Sequence, residues 1–524
     1  MQCKRKIFFL FLVILSVSAG FSQAKPKGKW EPEDAAEYFK NQNYVLALPM
    51  YKELVKREPD DLDYNYRLAY CYMHTTIDKT AALPYLEKVV KNPKCVPDSW
   101  LWLGKAYHLS NKFPEAVKAY TKYKELSVKN KEEADKADHY IEQCGNAQEL
   151  MKHPINISFT NAGPEVNSEF PDYYPWITSD EQTLFYTSRR KGGHTTQVEA
   201  DGYYSSDAFM CTVLDGKWDK AKNAGNMVNT NLDEQIVGIN PDGSELVVYI
   251  DHITEVEDLY TTRKKNNGYA KLEKMSENVN NAKEYSGSIF NTDEGPILYF
   301  VRQDKASIGA TDIYTARMLP TGQWGLPVNI GDKINTKYRE DFPWLAADGK
   351  TLYFSSEGHS SMGGFDLFKS IWDEDKKEWS EPINLGYPLN TSDDERQISI
   401  LPDNRAGYTS ALRPGGLGDL DIYRIKFEEN EQHFSVYRGK VLRSDSAKTG
   451  DFDVSISALN KKTSDEIIFV PNKTTGRYIM ALLPGTYKIT ITSDGYTEYT
   501  ENLVVFEFGV AKPETIKNYV LLKK

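Results

Sequence analysis

Cysteine is scarce in this chain, five among 524 residues, and no pair has C-x-x-C spacing or the spacing of a zinc site. That leaves out structural zinc and thioredoxin-type redox chemistry. There is no H-E-x-x-H helix, no P-loop and no dinucleotide fingerprint. The eight histidines stand singly, as surface or core histidines do. Gly358-His359-Ser360-Ser361-Met362 imitates a nucleophile elbow, but Met362 holds the place that needs glycine. Clustered cations are missing too: the net charge is −11, which argues against binding a phosphate backbone. After the first 24 residues no apolar run is long enough to cross a bilayer as a helix. These absences lead us to expect no catalytic residue, no cofactor and no metal, in a chain that is neither an enzyme nor a nucleic-acid-binding protein.

What is present begins with an address. Lys4, Arg5 and Lys6 precede an apolar core from Ile7 to Val17, and Ser22-Gln23-Ala24 supplies small residues at a cleavage site. Residues 1–24 therefore read as a secretory signal peptide. Cys3 precedes the apolar run and so is not the lipid-carrying cysteine of a lipoprotein. Loss of the three cations takes the net charge to −14 and leaves Cys71, Cys95, Cys144 and Cys211 in a compartment that permits disulfides. Three full pairings stay open, beside buried free thiols. A chain this long exceeds one hydrophobic core and predicts several domains. Its 34 tyrosines favour β-structure.

Residues 30–152 have helical periodicity. Trp100, Leu103, Gly104, Tyr107, Ala116 and Tyr120 match the W-x2-L-G-x2-Y…A-x3-F pattern. Ala35, Tyr38, Ala47, Tyr51, Leu54 and Pro59 hold the same offsets, as do Ala69, Tyr72, Ala82, Leu86 and Val89 with one extra residue between helices. Small residues (Ala47, Ala82, Gly104, Ala116) fit where two helices approach closely. Pro49 and Pro84 are expected near the starts of second helices, and a charged helix from Lys131 to about Leu150 is expected to cap the stack. The stretch resembles tetratricopeptide-repeat proteins, which implies a concave surface for a peptide or helix of a partner. The alternative is an array that only docks on its neighbour.

Residues 153–428 repeat one pattern five times. Asp207-Ala-Phe, Asp258-Leu-Tyr, Asp312-Ile-Tyr, Asp366-Leu-Phe and Asp421-Ile-Tyr follow one another at 51, 54, 54 and 55 residues. Each unit reads as an apolar strand ending in Asn (Asn167, Asn229, Asn280, Asn335, Asn390), a short strand, an acidic turn, a further strand and a Gly-rich loop before the Asp step. Four short antiparallel strands per unit predict one blade of a β-propeller. We expect five blades, or six if 190–206 hides a degenerate one. A strand at Ile155–Phe159 should pair with the strand after Asp421 and leave no exposed edge. An acid also recurs after each Asn: Asp172, Glu234, Glu284, Glu340 and Glu395. These are candidates for an acidic ring at the propeller mouth, attracting a cation or basic peptide. Alternatively each accepts backbone N–H groups where blades meet. Pro241-Asp242-Gly243, Ala347-Asp348-Gly349 and Gly363-Gly364-Phe365-Asp366-Leu367-Phe368 resemble the WD-like periplasmic propeller repeats of the Tol-system (TolB-like) propeller protein and its relatives.

Residues 434–524 alternate Val, Ile, Tyr and Thr in short strands, as in Tyr487-Lys-Ile-Thr-Ile-Thr, and predict a small β-sandwich. The run from Gly476 to Tyr487, through Pro484-Gly485, and then Gly495-Tyr496 resembles the carboxypeptidase-regulatory-like sandwich, which implies a spacer or docking module. The order of array, propeller and sandwich resembles exported envelope proteins that usually end in an OmpA-like peptidoglycan-binding domain, some linked to type IX secretion and gliding. About sixteen residues follow Phe508, so anchoring to peptidoglycan through such a domain is not expected. The resemblance implies a periplasmic, outer-membrane-associated scaffold whose partners are other envelope proteins. The alternative is a glycan- or peptide-binding sensor that uses the propeller channel.

Overall fold

The structure, a computed structural model, describes residues 31–524 except 76–77, 128–129, 197, 252–256, 267, 429–433, 446–452 and 506–513. The expected signal segment at 1–24 lies outside the described residues.

Seven α-helices come first: α1 (Pro32–Lys40), α2 (Tyr44–Arg57), α3 (Leu62–Met73), α4 (Leu83–Val89), α5 (Asp98–Leu109), α6 (Phe113–Leu126) and α7 (Lys131–Leu150). Asn43 and Asp61 start α2 and α3 by accepting the N–H groups of Leu46 and Tyr64 at 3.0 and 2.8 Å. Ala47, Ala82 and Ala116 are fully buried. A Cβ on Gly104 would lie 2.5 Å from the Tyr120 ring, so α5 and α6 meet there because a side chain is missing. The extra residue of the second unit is taken up by a 3-10 turn, Lys79–Ala82, ahead of α4. Pro84 occupies the first turn of α4, as expected. Pro49 requires a correction: it sits inside α2 rather than near its start. Its missing N–H leaves the Val45 carbonyl without its helical partner.

Residues 157–427 form five antiparallel sheets in a propeller-like arrangement. Sheet A contains Asp172–Ile177, Thr183–Ser188 and Asp207–Leu214. Sheet B contains Asp233–Ile239, Glu245–Asp251 and Asp258–Lys265; sheet C contains Lys283–Thr292, Gly295–Gln303 and Asp312–Arg317. Sheet D contains Glu340–Leu345, Thr351–Ser356 and Asp366–Asp373; sheet E contains Ile398–Ile400, Ala406–Ala411 and Asp421–Phe427. Two-residue strands complete the outer edges of A to D. Sheet E is completed instead by Ile157–Asn161, which runs antiparallel to Asp421–Phe427 with Ile157 opposite Phe427. Between 190 and 206 the described residues hold one isolated bridge, Val198 to Tyr204, and no further sheet.

The first strands of neighbouring sheets touch along the centre. Trp176 of sheet A donates to the Ile236 carbonyl of B at 3.1 Å, Ser288 of C to Pro343 of D at 2.7 Å, and Gln397, ahead of the first strand of E, to Pro175 of A at 2.8 Å. B and C come closer still: a Cβ on Gly238 would lie 2.2 Å from the Gly287 carbonyl oxygen.

One expectation about the repeat is corrected. The apolar-Asn segments are not strands; Val166, Val228, Val279, Ile334 and Leu389 each end a turn. All five are buried, at 0–2% exposure, and so carry the hydrophobic signature of a strand without its backbone.

Residues 435–521 form two four-stranded sheets over one core. Ser435–Arg443 pairs with Arg477–Leu482 and, in parallel, with Glu514–Ile516 and Tyr519–Leu521. The second sheet runs Glu466–Phe469, Val454–Asn460, Gly485–Ser493, Tyr499–Val505. Val441, Ile456, Met480, Ile489 and Leu521 from both sheets are fully buried together.

The helices rest on the loops of sheet D. His108 Nε2 bonds the Met362 carbonyl oxygen at 2.8 Å, Asn146 donates to the Ser361 carbonyl at 2.9 Å, and Gln143 to the Ser361 hydroxyl at 2.9 Å. The His139 ring stacks on Tyr338 with centroids 3.7 Å apart. Arg477 of the last region pairs with Glu142 of α7.

Candidate functional site

The five recurring acids lie at or just ahead of the first strands, and all are buried: Asp172, Glu234, Glu284 and Glu340 at 0% and Glu395 at 8% exposure. In four units the carboxylate folds back onto the residue after the Asn. Asp172 accepts from the Ser168 N–H and hydroxyl at 2.6 and 2.8 Å; Glu340 from the Thr336 N–H and hydroxyl at 2.9 and 2.7 Å; Glu395 from those of Thr391 at 2.8 and 2.7 Å. Glu234 holds Thr230 the same way. In the third unit the acid comes one residue sooner, and Glu284 instead accepts from the Ala282 N–H at 3.1 Å and faces Arg302 at 3.2 Å. Burial raises these carboxyls, Glu234, Glu284 and Glu340 to about 7 and Glu395 to about 8. Burial also pushes Asp172 up, against the opposing pull of Arg190 at 2.5 Å. As placed, the acids close turns inside the ring of sheets.

The more telling residues are the asparagines, which end the segments expected to be strands. Each side-chain amide forms two hydrogen bonds with the backbone of the residue after a repeat Asp. Asn229 pairs with Ala208, Asn280 with Leu259, Asn335 with Ile313 and Asn390 with Leu367, at 2.8–3.0 Å. Asn167 does the same to Ile422, from the first unit to the last. The amide offers one acceptor and one donor, as a strand residue does, so it ends the sheet's pairing without another strand. The invariance of Asn across five otherwise divergent units was the available signal.

Two aromatic side chains meet inside the ring. Tyr174 of sheet A and Phe342 of sheet D have ring centroids 4.3 Å apart. A and D are not neighbours, so this contact crosses the central space. Both residues have left-handed backbones, φ 55° and 47°, at register shifts in their strands. Strain of that kind at a bulky residue persists only where the surroundings enforce it. Among the described residues no group of three His, Cys, Asp or Glu is placed to hold a metal. Ser360 of the elbow-like stretch is fully buried, and His359 Nε2 bonds the Ile334 carbonyl at 2.8 Å.

On the helical array a solvent-reaching aromatic face stands out. Tyr66, Tyr70 and His74 recur at steps of four along α3 and its C-cap, and so share one side. His74 stacks on Tyr70 at 3.9 Å and meets the edge of Trp102 of α5 at 4.8 Å; Tyr44 closes the group 5.0 Å from His74. Lys105 Nζ lies 5.0 Å from the Trp102 ring. Such half-exposed rings with polar tips are suited to gripping a peptide. At the edge of this array Lys79 bonds Asp393 at 2.6 Å.

Comparison with known proteins divides along the same lines. A family model of the tetratricopeptide repeat matches residues 35–76 and 78–129, so the helical region carries such repeats, whose general role is protein–protein interaction. No curated protein matches the chain. Among solved structures, TolB from Acinetobacter baumannii is 14% identical, over 55% of this chain and 70% of that one, with a TM-score of 0.32. A thermostable family-43 glycoside hydrolase is 13% identical, over 52% and 94%, with a TM-score of 0.33. The endo-arabinase from Bacteroides thetaiotaomicron is 12% identical, over 52% and 97%, with a TM-score of 0.31. At these identities the likeness is one of fold alone, and at these TM-scores it assigns no reaction to this chain. It does correct the expectation of a chain that is not an enzyme. Several of the structures with this kind of likeness are glycoside hydrolases, so a propeller-like region is no ground for excluding catalysis, and the exclusion is withdrawn.

Proposed function

We propose that this chain is an exported adaptor of the cell envelope that holds other proteins together. In this reading residues 30–152 are the grip, 153–428 a five-bladed propeller that serves as a rigid hub, and 434–524 a β-sandwich that docks or spaces. The observation that carries it is the aromatic face of Tyr44, Tyr70, His74 and Trp102 on repeats of a kind that bind peptides and helices. Export rests on the basic and apolar pattern of residues 1–24. Residence in the periplasm near the outer membrane, and an accessory part in type IX secretion, rest on the resemblance of this order of regions to exported envelope proteins. The alternative, a sensor holding a glycan or peptide in the propeller channel, has less support, because Tyr174 and Phe342 meet in the space such a ligand would need.

The test is site-specific photocrosslinking in intact cells, with a benzophenone side chain at position 102 and, as control, at exposed Lys217 on the rim of sheet A. An adduct with a membrane-fraction protein at 102 and none at 217 is expected. Equal labelling at both positions, or recovery of the chain in the cytoplasmic fraction, would sink the reading.

A further inference from the structure

A cleft of about 940 Å3 opens where α6 and α7, the loops of sheet D and the last two sheets meet. That is at the upper end of the roughly 300–1,000 Å3 typical of ligand clefts, room for a short stretch of peptide. Its charge is opposite to that of the chain. Three acids line it and each is already paired: Asp138 with Lys124 at 2.7 Å, Glu149 with Lys152 at 2.7 Å, and Glu142 with Arg477. Lys118, Lys337, Lys440 and Lys473 also line it, all exposed, and none has a salt bridge among the described residues. Four uncompensated cations thus converge on one cleft of a protein whose net charge is −11.

The floor is apolar. Ile468 and Val470, on one side of the same strand end, are 58% and 66% exposed, and Ile516 nearby is 53% exposed. The strand Glu466–Phe469 is the edge of its sheet: it pairs with Val454–Asn460 and, among the described residues, with no strand on its outer side. His139 lines the same cleft, stacked on Tyr338, with the Glu357 backbone beside its ring. Burial and the nearby Lys337 charge push its pKa down to about 3.

We propose that this cleft binds an extended acidic segment of a partner protein, in which apolar side chains alternate with Asp or Glu. Its main chain adds to the free edge at 466–469, its apolar side chains cover Ile468 and Val470, and its carboxylates reach the four lysines. A peptide fits better than an anionic membrane, because the lysines line a cleft enclosed by three regions rather than a flat face. The site is separate from the aromatic face of α3 and α5 and can fail independently of it.

Fluorescence anisotropy of the full chain with a labelled decapeptide of alternating Val and Glu tests this. Saturable binding is expected, weakening with salt and by about tenfold or more in the Lys118→Glu, Lys337→Glu, Lys473→Glu triple variant. Ile468→Asp should cost a similar factor through the floor, while Lys217→Glu, exposed on the rim of sheet A, should change nothing. All the cleft substitutions are at exposed positions, so near-ultraviolet circular dichroism should be unaltered. The proposal is overturned if the parent shows no saturable binding at millimolar peptide. It is equally overturned if the triple variant binds as the parent does, or if a Val–Lys decapeptide binds equally well. Binding weakened as much in Lys217→Glu, or phosphatidylglycerol vesicles bound through the same lysines in place of the peptide, would also overturn it.

Discussion

The side chain of Asn167 is bonded at both ends to the backbone of Ile422, 255 residues later: its Oδ1 accepts the Ile422 N–H at 2.8 Å and its Nδ2 donates to the Ile422 carbonyl at 2.9 Å. The other four asparagines make the same pair within 21–23 residues. Asn167 therefore joins the first and last sheets, beside the strand Ile157–Asn161.

Asn167→Ala should destabilise the chain by about 2–4 kcal/mol, since it leaves a buried N–H and C=O without partners. Hydrogen exchange should then rise across 157–161 and 421–427 together. Asn335→Ala should cost a comparable amount but raise exchange around Ile313 only. Unchanged protection at Ile422 in Asn167→Ala would refute the closing role of this residue.

The buried carboxyls make stability depend on pH in an unusual direction. Glu340 titrates near 4.5 when unfolded and about 7 when folded, so the folded state holds the proton more tightly. Its contribution is fully present below pH 4.5 and is lost as pH rises through 7; Glu395 extends the loss to about 8. Urea unfolding at pH 5 and pH 8 should show Glu340→Gln losing less stability than the parent over this range, by about 1–3 kcal/mol. Equal losses would mean that Glu340 is ionised at both pH values. The comparison with the parent cancels oppositely shifted groups such as Asp394, whose neighbour Arg396 holds its carboxyl low against burial.

Gly238→Ala should be among the most damaging small substitutions in the sheets, because the obstacle at 2.2 Å is the backbone oxygen of Gly287 and cannot rotate away. A loss of about 1–3 kcal/mol or more is expected. Gly295→Ala, where nothing lies within 4 Å of the added Cβ, should cost only the strain of its positive φ. Thermal melting distinguishes them, and equal losses would show that sheets B and C can part at no cost.

The contact between array and sheets combines the Lys79–Asp393 ion pair with neutral hydrogen bonds from His108, Gln143 and Asn146. Burial lowers the His108 pKa to about 4, so Nε2 keeps its proton for the Met362 carbonyl without a charge. His108→Ala combined with Asn146→Ala should release the helices, seen as a larger radius of gyration by small-angle scattering, while each core stays folded. The parent should stay compact down to about pH 5, because the ring charges only near 4. A double variant as compact as the parent would place the binding energy elsewhere.

The helical repeats and the five-fold unit were legible because both rest on local spacing. Ala47, Ala82, Gly104 and Ala116 had to be small wherever two helices cross, and the Asp step recurred at a nearly constant interval. The candidate acids were legible only as a recurrence. Whether Glu234 or Glu340 faces a channel or folds back on Thr230 or Thr336 depends on a turn whose apolar residue imitates a strand. The aromatic face could have been seen in Tyr66, Tyr70 and His74 at steps of four, but its Trp102 comes from another helix.

Sequence alone determined the order of the three regions, the repeat units and the close-packing positions, because each is written in spacings shorter than one unit of structure. Only the tertiary structure decided that Asn167 reaches Ile422, that Tyr174 meets Phe342 across the ring, and that lysines from three regions share one cleft. Those relationships join residues up to hundreds of positions apart, and no local pattern of side chains encodes which distant backbone or charge will be brought beside them.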